Sequence, residues 1–283
     1  MDWANGSASG EVGIESVIGI AADTHGVLWL LDMGNETAPA QIVAWNTITE
    51  ELHRRIEIPS DVTVPISFLQ DFALDEKREK IYIADMTFPA PGDLARPAFV
   101  VVDLKSGECW RVLEGADPLM PSERDVVIDG SLVGLQADER TPLHLGLNPI
   151  AIDPSFEWVY FGTIAGDSVL RIPAAALADK SRNDRLTQIE RYAPKPPCDG
   201  IAVDGKGRVY VTDIEASAVG VATPGGYELL AQDSKLLSWP DGLALGPDAS
   251  LYVSQNHLHA HPALNEGVDE SRKPYHVLKI ALP

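Results

Sequence analysis

Ile201-Ala202-Val203-Asp204-Gly205-Lys206-Gly207-Arg208-Val209-Tyr210 is the stretch that decides the fold. Three small or apolar residues enter a turn made of Asp, Gly and Lys, and an apolar–aromatic pair follows the turn. Asp and Gly favour tight turns between antiparallel strands, and β-branched and aromatic residues favour extended backbone. The stretch therefore predicts a β-hairpin.

The same pattern occurs five times along the chain. In every copy Ala stands second, and the aromatic residue falls nine or ten positions after the first. The copies begin at Ile20, Phe72, Ile150, Ile201 and Leu243. A more amphipathic pair of segments follows each hairpin, so that one unit has four strands, and repeats of about 40–50 residues are typical of propeller blades. We predict an all-β chain, a β-propeller of four-stranded blades with five visible repeats.

The longest interval between copies predicts an insertion into this single domain. The domain covers residues 1–283, and the insertion falls at 114–142. Apart from a short alanine-rich turn at 173–178, helical patterns are nearly absent. The insertion is the one candidate segment for additional blade strands.

Charge and composition exclude several classes of protein. The chain has 22 Lys and Arg against 42 Asp and Glu, a net charge of −20, which disfavours nucleic acid and anionic lipid. No apolar run approaches the roughly 20 residues of a membrane helix. The first residues lack the basic and apolar regions of a signal peptide, so we expect a cytoplasmic protein, or a secreted or periplasmic one if a leader was removed. A small molecule is the expected partner, and the oligomeric state stays open.

Several segments follow one another in an order and at a spacing that are specific when taken together. They are residues 16–20, 28–34, 80–85, 158–162, 171–177, 239–244 and 274–280. Over roughly residues 16–282, these segments resemble the major royal jelly/Yellow protein family, including its bacterial dopachrome-tautomerase-related members. More distantly, the chain is similar to the senescence-marker/gluconolactonase propellers, which bind a divalent metal on the axis.

The resemblance implies six blades, whereas five repeats are visible. The family's usual first blade precedes the segment Leu28-Trp29-Leu30-Leu31-Asp32, and few residues precede it here. Three explanations stay open: a five-bladed ring, a sixth blade completed by another segment, or a truncated chain. We favour the five-bladed ring.

Polar residues precede four of the five repeats by two positions. In a propeller this position points into a ring around the central channel, and its members are Ile18, Gln70, Asn148, Asp199 and Asp241. Two carboxylates and two carboxamides form an oxygen-rich set suited to Ca²⁺ or Mg²⁺, and a divalent cation would relieve the repulsion between the carboxylates. The alternative is that Asp-Gly and Asn-Pro are only turn and strand-start elements. We favour a metal or ligand site, with Ca²⁺ as the expected ion.

The lactonase resemblance implies roles for three of these residues. Its metal-binding Asn and Asp match Asn148 and Asp199, and its further amide position matches Gln70. Its metal-binding Glu lies in the blade without a counterpart here. Asp241 is the one obvious replacement carboxylate.

A second polar tier follows the aromatic residue of each repeat by three positions. Its members are Asp32, Asp85, Thr163, Asp213 and Gln255. Because the second strand ends where the first begins, these side chains could contact substrate or act as a general base. The alternative is that they cap turns and satisfy backbone amides. Asn256 and His257 follow directly and are placed to reach a ligand.

Three histidines alternate in His257-Leu258-His259-Ala260-His261. On an extended strand their imidazoles would share one face, which would suit a transition metal. No Cys or Glu completes a zinc spacing, so we favour His257 alone as an acid–base residue or substrate contact.

The leading hypothesis is a metal-dependent small-molecule enzyme, a lactone or ester hydrolase or a Yellow-like tautomerase. Its expected catalytic residues are Asp199, Asp241 and His257, with an axial ion held by Asn148, Asp199, Asp241 and Gln70. The expected substrate contacts are Gln70, Asp85, Thr163, Asp213 and Asn256. The alternative is a non-catalytic protein that binds small amines.

Overall fold

Five antiparallel sheets follow one another along the chain, and the first strand of each lines a common axial cavity. This is a β-propeller. The structure, a computed structural model, describes residues 13–90, 93–135, 141–142 and 144–282. Residues 1–12, 91–92, 136–140, 143 and 283 of the predicted domain, the third of these ranges within its insertion, lie outside the described residues.

Strand order within each blade follows the chain, so every blade is a meander. Blade 1 contains β1 (Val17–Ala22), β2 (Val27–Asp32), β3 (Gln41–Asn46) and β4 (Glu51–Glu57). Blade 2 contains β5 (Leu69–Asp75), β6 (Lys80–Asp85), β7 (Ala98–Asp103) and β8 (Cys109–Val112). The intervening segment contains a 3-10 helix (Asp117–Leu119), β9 (Val127–Ile128), β10 (Ser131–Leu132), β11 (Gly134–Leu135) and β12 (Thr141–Pro142).

The last three blades follow this segment. Blade 3 contains β13 (Leu147–Ile152), β14 (Trp158–Thr163), β15 (Ser168–Pro173) and β16 (Glu190–Pro194), with the short helix α1 (Ala174–Ala178) and a 3-10 helix (Arg185–Gln188) between the last two strands. Blade 4 contains β17 (Ile201–Val203), β18 (Val209–Asp213), β19 (Ala218–Thr223) and β20 (Gly226–Gln232). Blade 5 contains β21 (Pro240–Leu245), β22 (Ser250–Gln255) and β23 (Val277–Ala281).

Blade 5 differs from the four-stranded prediction. Among the described residues it has three strands, and a loop with a 3-10 helix (Leu258–Ala260) joins β22 to β23. The segment that alternates histidines is therefore not a strand. The insertion adds no sixth blade either, since its described strands form two separate two-stranded ladders.

Apolar side chains fill the seams between consecutive blades. Leu31 and Ile83 belong to the core between blades 1 and 2, and the rings of Phe99 and Phe161 meet edge to face at 5.1 Å between blades 2 and 3. Similar clusters join blade 3 to blade 4 and blade 4 to blade 5. Burial of this apolar area is the main stabilising term of such a ring.

The seam between blade 5 and blade 1 is more open. Ile20 on β1 is 62% exposed and Leu245 on β21 is 37% exposed, whereas the inner strands β5, β13 and β17 are mostly buried. No core cluster of the described residues bridges this seam. The ring is held together chiefly by its other four interfaces.

The insertion packs against segments next to the strands of blade 5. Ile128 and Val133 belong to one apolar cluster with Trp239, which precedes β21, and Leu264, which lies in the loop between β22 and β23. The insertion is thereby fixed beside the residues that precede β21. No helix of the described residues is long and apolar enough to cross a membrane.

Candidate functional site

The residues predicted to form a ring around the channel line one axial cavity. It has a volume of about 190 Å³. Its lining includes the five predicted positions Ile18, Gln70, Asn148, Asp199 and Asp241. It also contains Asp71 and Ser254, which the repeat pattern did not point to. No Lys, Arg or His belongs to the described lining.

Strand irregularities place these side chains on the axis. The ladder register shifts at the start of β5, β13 and β21, at residues 69–71, 147–150 and 240–243. β1 has the same irregularity at residues 17–19. A bulge gives one strand an extra residue and re-aims its side chain. Gln70, Asn148 and Asp241 each lie within such an irregularity, so the polar residues point inward although the strands behind them are apolar.

Asp199 is the most firmly held carboxylate. Its Oδ1 accepts a hydrogen bond from Asn148 Nδ2 at 2.7 Å, and its Oδ2 accepts one from Trp239 Nε1 at 2.7 Å. Its own backbone N–H donates to Thr212 Oγ1 at 3.1 Å. The side chain is 4% exposed. Neighbouring blades therefore fix its position on the axis.

Gly200 lets two blades approach each other closely. A Cβ built on this residue would stand 2.0 Å from the backbone oxygen of Asp241, a separation that no real side chain can adopt. The Asp-Gly pair of blade 4 therefore serves the packing of the channel rather than a turn alone.

Asp71 is the functional candidate that the sequence reasoning missed. It follows Gln70, and the bulge in β5 brings both residues to the cavity. Among described partners its carboxylate accepts a hydrogen bond at Oδ1 from the backbone N–H of Phe72, at 2.7 Å. Two consecutive polar residues before an apolar strand were the available signal, but a repeat spacing cannot reveal a bulge.

Burial raises the pKa of all three axial carboxyls, and the charge of a neighbouring carboxylate adds to the rise for Asp71 and Asp241. Desolvation is the main cause and raises the pKa of Asp71 to about 7, with a further contribution from the charge of Asp199. Desolvation, then the charges of Asp199 and Asp71, raises the pKa of Asp241. Desolvation also raises the pKa of Asp199, against the bonds from Trp239 and Asn148. Like charges in one poorly solvated space disfavour ionisation.

Two buried amide side chains have polar atoms without a partner among the described residues. Asn148 lines the axial cavity and is 1% exposed, and no described residue donates to its Oδ1. Gln255 is 3% exposed, and neither its Oε1 nor its Nε2 has a partner within the described part of the chain. Buried polar atoms are rarely left unpaired, because each costs roughly 1–3 kcal/mol. The two residues lie on the inner strands of blades 3 and 5.

The second polar tier mostly serves the backbone. Asp32 accepts from the N–H of Ser16 at 2.8 Å and of Gly34 at 3.0 Å. Asp85 accepts from the N–H of Phe68 at 2.9 Å and pairs with an arginine of the same blade.

The other members of the tier lie outside the axial lining as well. Asp213 accepts from the N–H of Ala216 at 2.9 Å and from Tyr227 Oη at 3.1 Å. Thr163 is 8% exposed, and its carbonyl accepts from Lys195 Nζ at 2.7 Å. The structure does not bring Asp85, Thr163 or Asp213 to the described cavity, so their role as substrate contacts stays a prediction.

Asn256 does reach the site. Its Nδ2 donates to Asp241 Oδ2 at 3.0 Å, and its Oδ1 accepts from the N–H of Leu258 at 2.9 Å. This side chain links the axial carboxylate to the loop after β22. The predicted neighbourhood of Asn256 and Asp241 is present in the structure.

The strand geometry expected for the three histidines is wrong. His257 adopts a left-handed backbone with φ of 53°, and residues 258–260 form a 3-10 helix, so the imidazoles do not alternate on one face. His257 and His259 instead line a separate cavity of about 620 Å³ at the mouth, beside the insertion. Among the residues that the structure describes, no three His, Cys, Asp or Glu side chains are grouped closely enough to hold a metal by themselves.

The fold and the acidic axial cavity define a β-propeller with its candidate site in the axial cavity. The chain belongs to the major royal jelly protein family, whose model matches residues 15–280. No curated protein matches it in sequence.

Solved structures share the fold at low sequence identity. A gluconolactonase from Xanthomonas campestris is 14% identical, with a TM-score of 0.52 over 84% of this chain and 69% of that chain. The PQQ-bound aldose sugar dehydrogenase from Streptomyces coelicolor is 15% identical, with a TM-score of 0.52 over 93% and 82%. A streptogramin B lyase is 13% identical, with a TM-score of 0.50 over 96% and 85%. These likenesses establish the propeller architecture.

Proposed function

We propose that the axial cavity binds a divalent cation, with Ca²⁺ as the first candidate, and that the protein is a metal-dependent enzyme acting on small molecules. One observation carries the proposal: three carboxylates, of Asp71, Asp199 and Asp241, line one cavity whose described lining has no basic residue. Burial opposes their ionisation. A bound cation would remove that penalty.

The remaining donors suit the same ion. Asn148 Oδ1 is buried and has no partner among the residues that the structure describes, and it is a neutral oxygen ligand of the kind that Ca²⁺ accepts beside carboxylates. Gln70 offers a second carboxamide at the cavity wall. The full donor set is Gln70, Asp71, Asn148, Asp199 and Asp241. It includes amide oxygens as well as acids, so three closely grouped carboxylates are not required.

Asp199 and Asp71 would have different roles, the first as a metal ligand and the second in proton transfer. Asp199 has both oxygens engaged by Asn148 and Trp239, which favours a fixed ligand. Asp71 has the weaker set of partners and a pKa of about 7, which suits a residue that accepts or returns a proton. When bound, the cation would polarise a carbonyl or enol oxygen.

Two reactions use this arrangement. In lactone or ester hydrolysis, Asp71 would take a proton from the water as its oxygen adds to the carbonyl carbon, and would return that proton to the alcohol oxygen as the acyl C–O bond breaks. In a Yellow-like tautomerisation, it would take a proton from carbon and return it to a second position of the same molecule. The gluconolactonase shares the architecture at 14% identity, and we place hydrolysis first because oxygen ligands around a cation suit metal-assisted addition of water.

The dimensions of the axial cavity speak against the alternative that this cavity binds a small amine. Small-molecule pockets measure roughly 300–1,000 Å³, whereas the axial cavity has about 190 Å³. Its described lining contains no aromatic ring to face an ammonium group. A metal ion with bound water fits this space better than an organic amine.

The test combines metal analysis with thermal melting. Purified protein is analysed for metals and then melted in EDTA and in added Ca²⁺, beside D199N, D241N and the exposed control E228Q. We expect Ca²⁺ to raise the Tm of the wild type and of E228Q and to have little effect on D199N and D241N. An equal response of all four proteins to Ca²⁺ would contradict the proposal.

A panel of lactones, aryl esters and quinone tautomers then separates enzyme from carrier. Turnover that EDTA abolishes and Ca²⁺ restores supports the enzyme. Binding of small amines without turnover of any substrate supports the carrier.

A further inference from the structure

A second cavity at the channel mouth has a different chemical character. It measures about 620 Å³, within the usual range for small organic ligands. Its walls are the insertion at 128–133, the β20–β21 connection at 234–238, and the loop between β22 and β23. We call it the mouth cavity. The insertion wall is held by the packing of Ile128 and Val133 beside Trp239.

Cationic side chains collect in the mouth cavity. Lys235, Arg272 and Lys273 line it, against the acids Asp129 and Glu270. Among the described residues, none of the three cations has a carboxylate within ion-pair distance. Attraction to Lys235 contributes to lowering the pKa of Asp233, and attraction to Lys273 contributes to lowering that of Asp269. Asp233 and Asp269 lie outside the lining and are exposed, so solvent screens their charges.

Arginines elsewhere in the chain are commonly paired. Arg111 contacts Asp85 at 2.5 Å and Glu114 at 2.5 Å, and Arg208 contacts Asp204 at 2.7 Å. Three cations without an ion pair among the described residues line one cavity, although the chain has a net charge of −20. Counted over the described lining alone, three cations against two acids leave an excess of one positive charge.

Neutral imidazoles supply hydrogen-bonding groups next to these cations. Desolvation and the neighbouring Arg272 and His276 lower the pKa of His257, and desolvation lowers the pKa of His259. His259 Nδ1 is buried and has no hydrogen-bond partner among the described residues.

The mouth cavity is joined to the axial site through two side chains. Trp239 stacks on His259 with ring centroids 6.1 Å apart, and its Nε1 donates to Asp199. Asn256 donates to Asp241 and accepts from the loop that carries the histidines. A molecule in the mouth cavity would therefore lie one residue away from the axial carboxylates.

We propose that the mouth cavity binds a small organic carboxylate. Arg272, Lys273 and Lys235 would attract its negative charge, and His257 and His259 would contact its polar groups. An excess of one positive charge matches a monoanion better than a phosphate dianion. The apolar lining of Ile128 and Leu236 suits the carbon part of the molecule.

Matched pairs of acids and amides test this proposal. Ligand-detected NMR and calorimetry are run with benzoate and benzamide, phenylacetate and phenylacetamide, and gluconate and gluconamide, with inorganic phosphate as a separate arm. All measurements are made in EDTA and repeated with Ca²⁺, so that a failure of the axial metal proposal leaves this readout intact. We expect at least one carboxylate to bind with a Kd of roughly millimolar or lower, and its amide about tenfold more weakly.

Charge variants locate the binding. The double variant R272Q/K273Q and the single variant K235Q, on separate segments, should each weaken carboxylate binding, the double variant by about tenfold. R182Q is the matched control, since Arg182 is paired with Asp184 away from the cavity. Absence of binding by every carboxylate, equal binding of acid and amide, equal or tighter binding of phosphate, or unchanged binding in both charge variants would overturn the proposal.

Discussion

Asp71→Asn should remove part of the loss in unfolding free energy that we expect for the metal-free protein as the pH rises. Asp71 has a pKa of about 7 in the folded chain and an ordinary value of 3.8. A carboxyl whose pKa is raised by folding binds its proton more tightly in the folded state. The stability that this proton supplies is complete below pH 3.8 and is lost as the pH rises toward 7. Asparagine carries no charge at any of these pH values.

The size of this pH-dependent change in unfolding free energy follows from the pKa of Asp71. The whole displacement from 3.8 to about 7 corresponds to roughly 4 kcal/mol. Between about pH 5 and pH 8 the wild type should lose roughly 3 kcal/mol of unfolding free energy through this group. The D71N variant should not lose this contribution to the unfolding free energy. The difference in unfolding free energy between D71N and the wild type should therefore grow in favour of D71N as the pH rises.

Urea unfolding in EDTA at pH 5, 6, 7 and 8 measures this difference. Wild type, D71N and the exposed control E228Q are compared, so that groups common to all three cancel. Added Ca²⁺ at pH 8 should stabilise the wild type and narrow the gap to D71N. Parallel pH profiles for wild type and D71N would refute the reasoning, because Asp71 would then not be held in a poorly solvated, acidic site.

Three further substitutions test the construction of the site and of the ring. Gly200→Ala should cost roughly 3 kcal/mol or more by urea unfolding, since its Cβ would stand 2.0 Å from the Asp241 carbonyl oxygen; a cost below about 1 kcal/mol would contradict the close approach. Trp239→Phe keeps a ring but deletes the bond to Asp199, so it should raise the pKa of that carboxyl further and weaken Ca²⁺ binding in calorimetry; unchanged affinity would count against this role. Ile20→Ser should change stability by less than about 1 kcal/mol, because the side chain is 62% exposed; a loss of several kcal/mol on urea unfolding would mean that the seam is packed.

The repeat in the sequence was sufficient to predict the fold and the ring. The Ala and aromatic positions repeat because each blade has the same two inner strands, and packing between blades imposes this periodicity. Spacing therefore led directly to Gln70, Asn148, Asp199 and Asp241, which line one cavity. The prediction is possible because residues at equivalent positions of the repeat take equivalent positions around the folded ring.

Other features depend on contacts that spacing does not record. Asp71 reaches the axis through a bulge in β5, and a single extra residue leaves no periodic trace. The predicted strand of alternating histidines is instead a 3-10 turn after His257, since the loop packs on Trp239 and the insertion. The mouth cavity combines segments about a hundred residues apart, so no local pattern indicates it.

A crystal structure of the protein grown with Ca²⁺, with anomalous scattering measured at long wavelength, tests the central claim most directly. The account predicts one anomalous peak on the axis, about 2.3–2.6 Å from oxygens of Asp199, Asp241 and Asn148. An axial cavity without a peak at saturating Ca²⁺, or a peak at His257 and His259 alone, would contradict it.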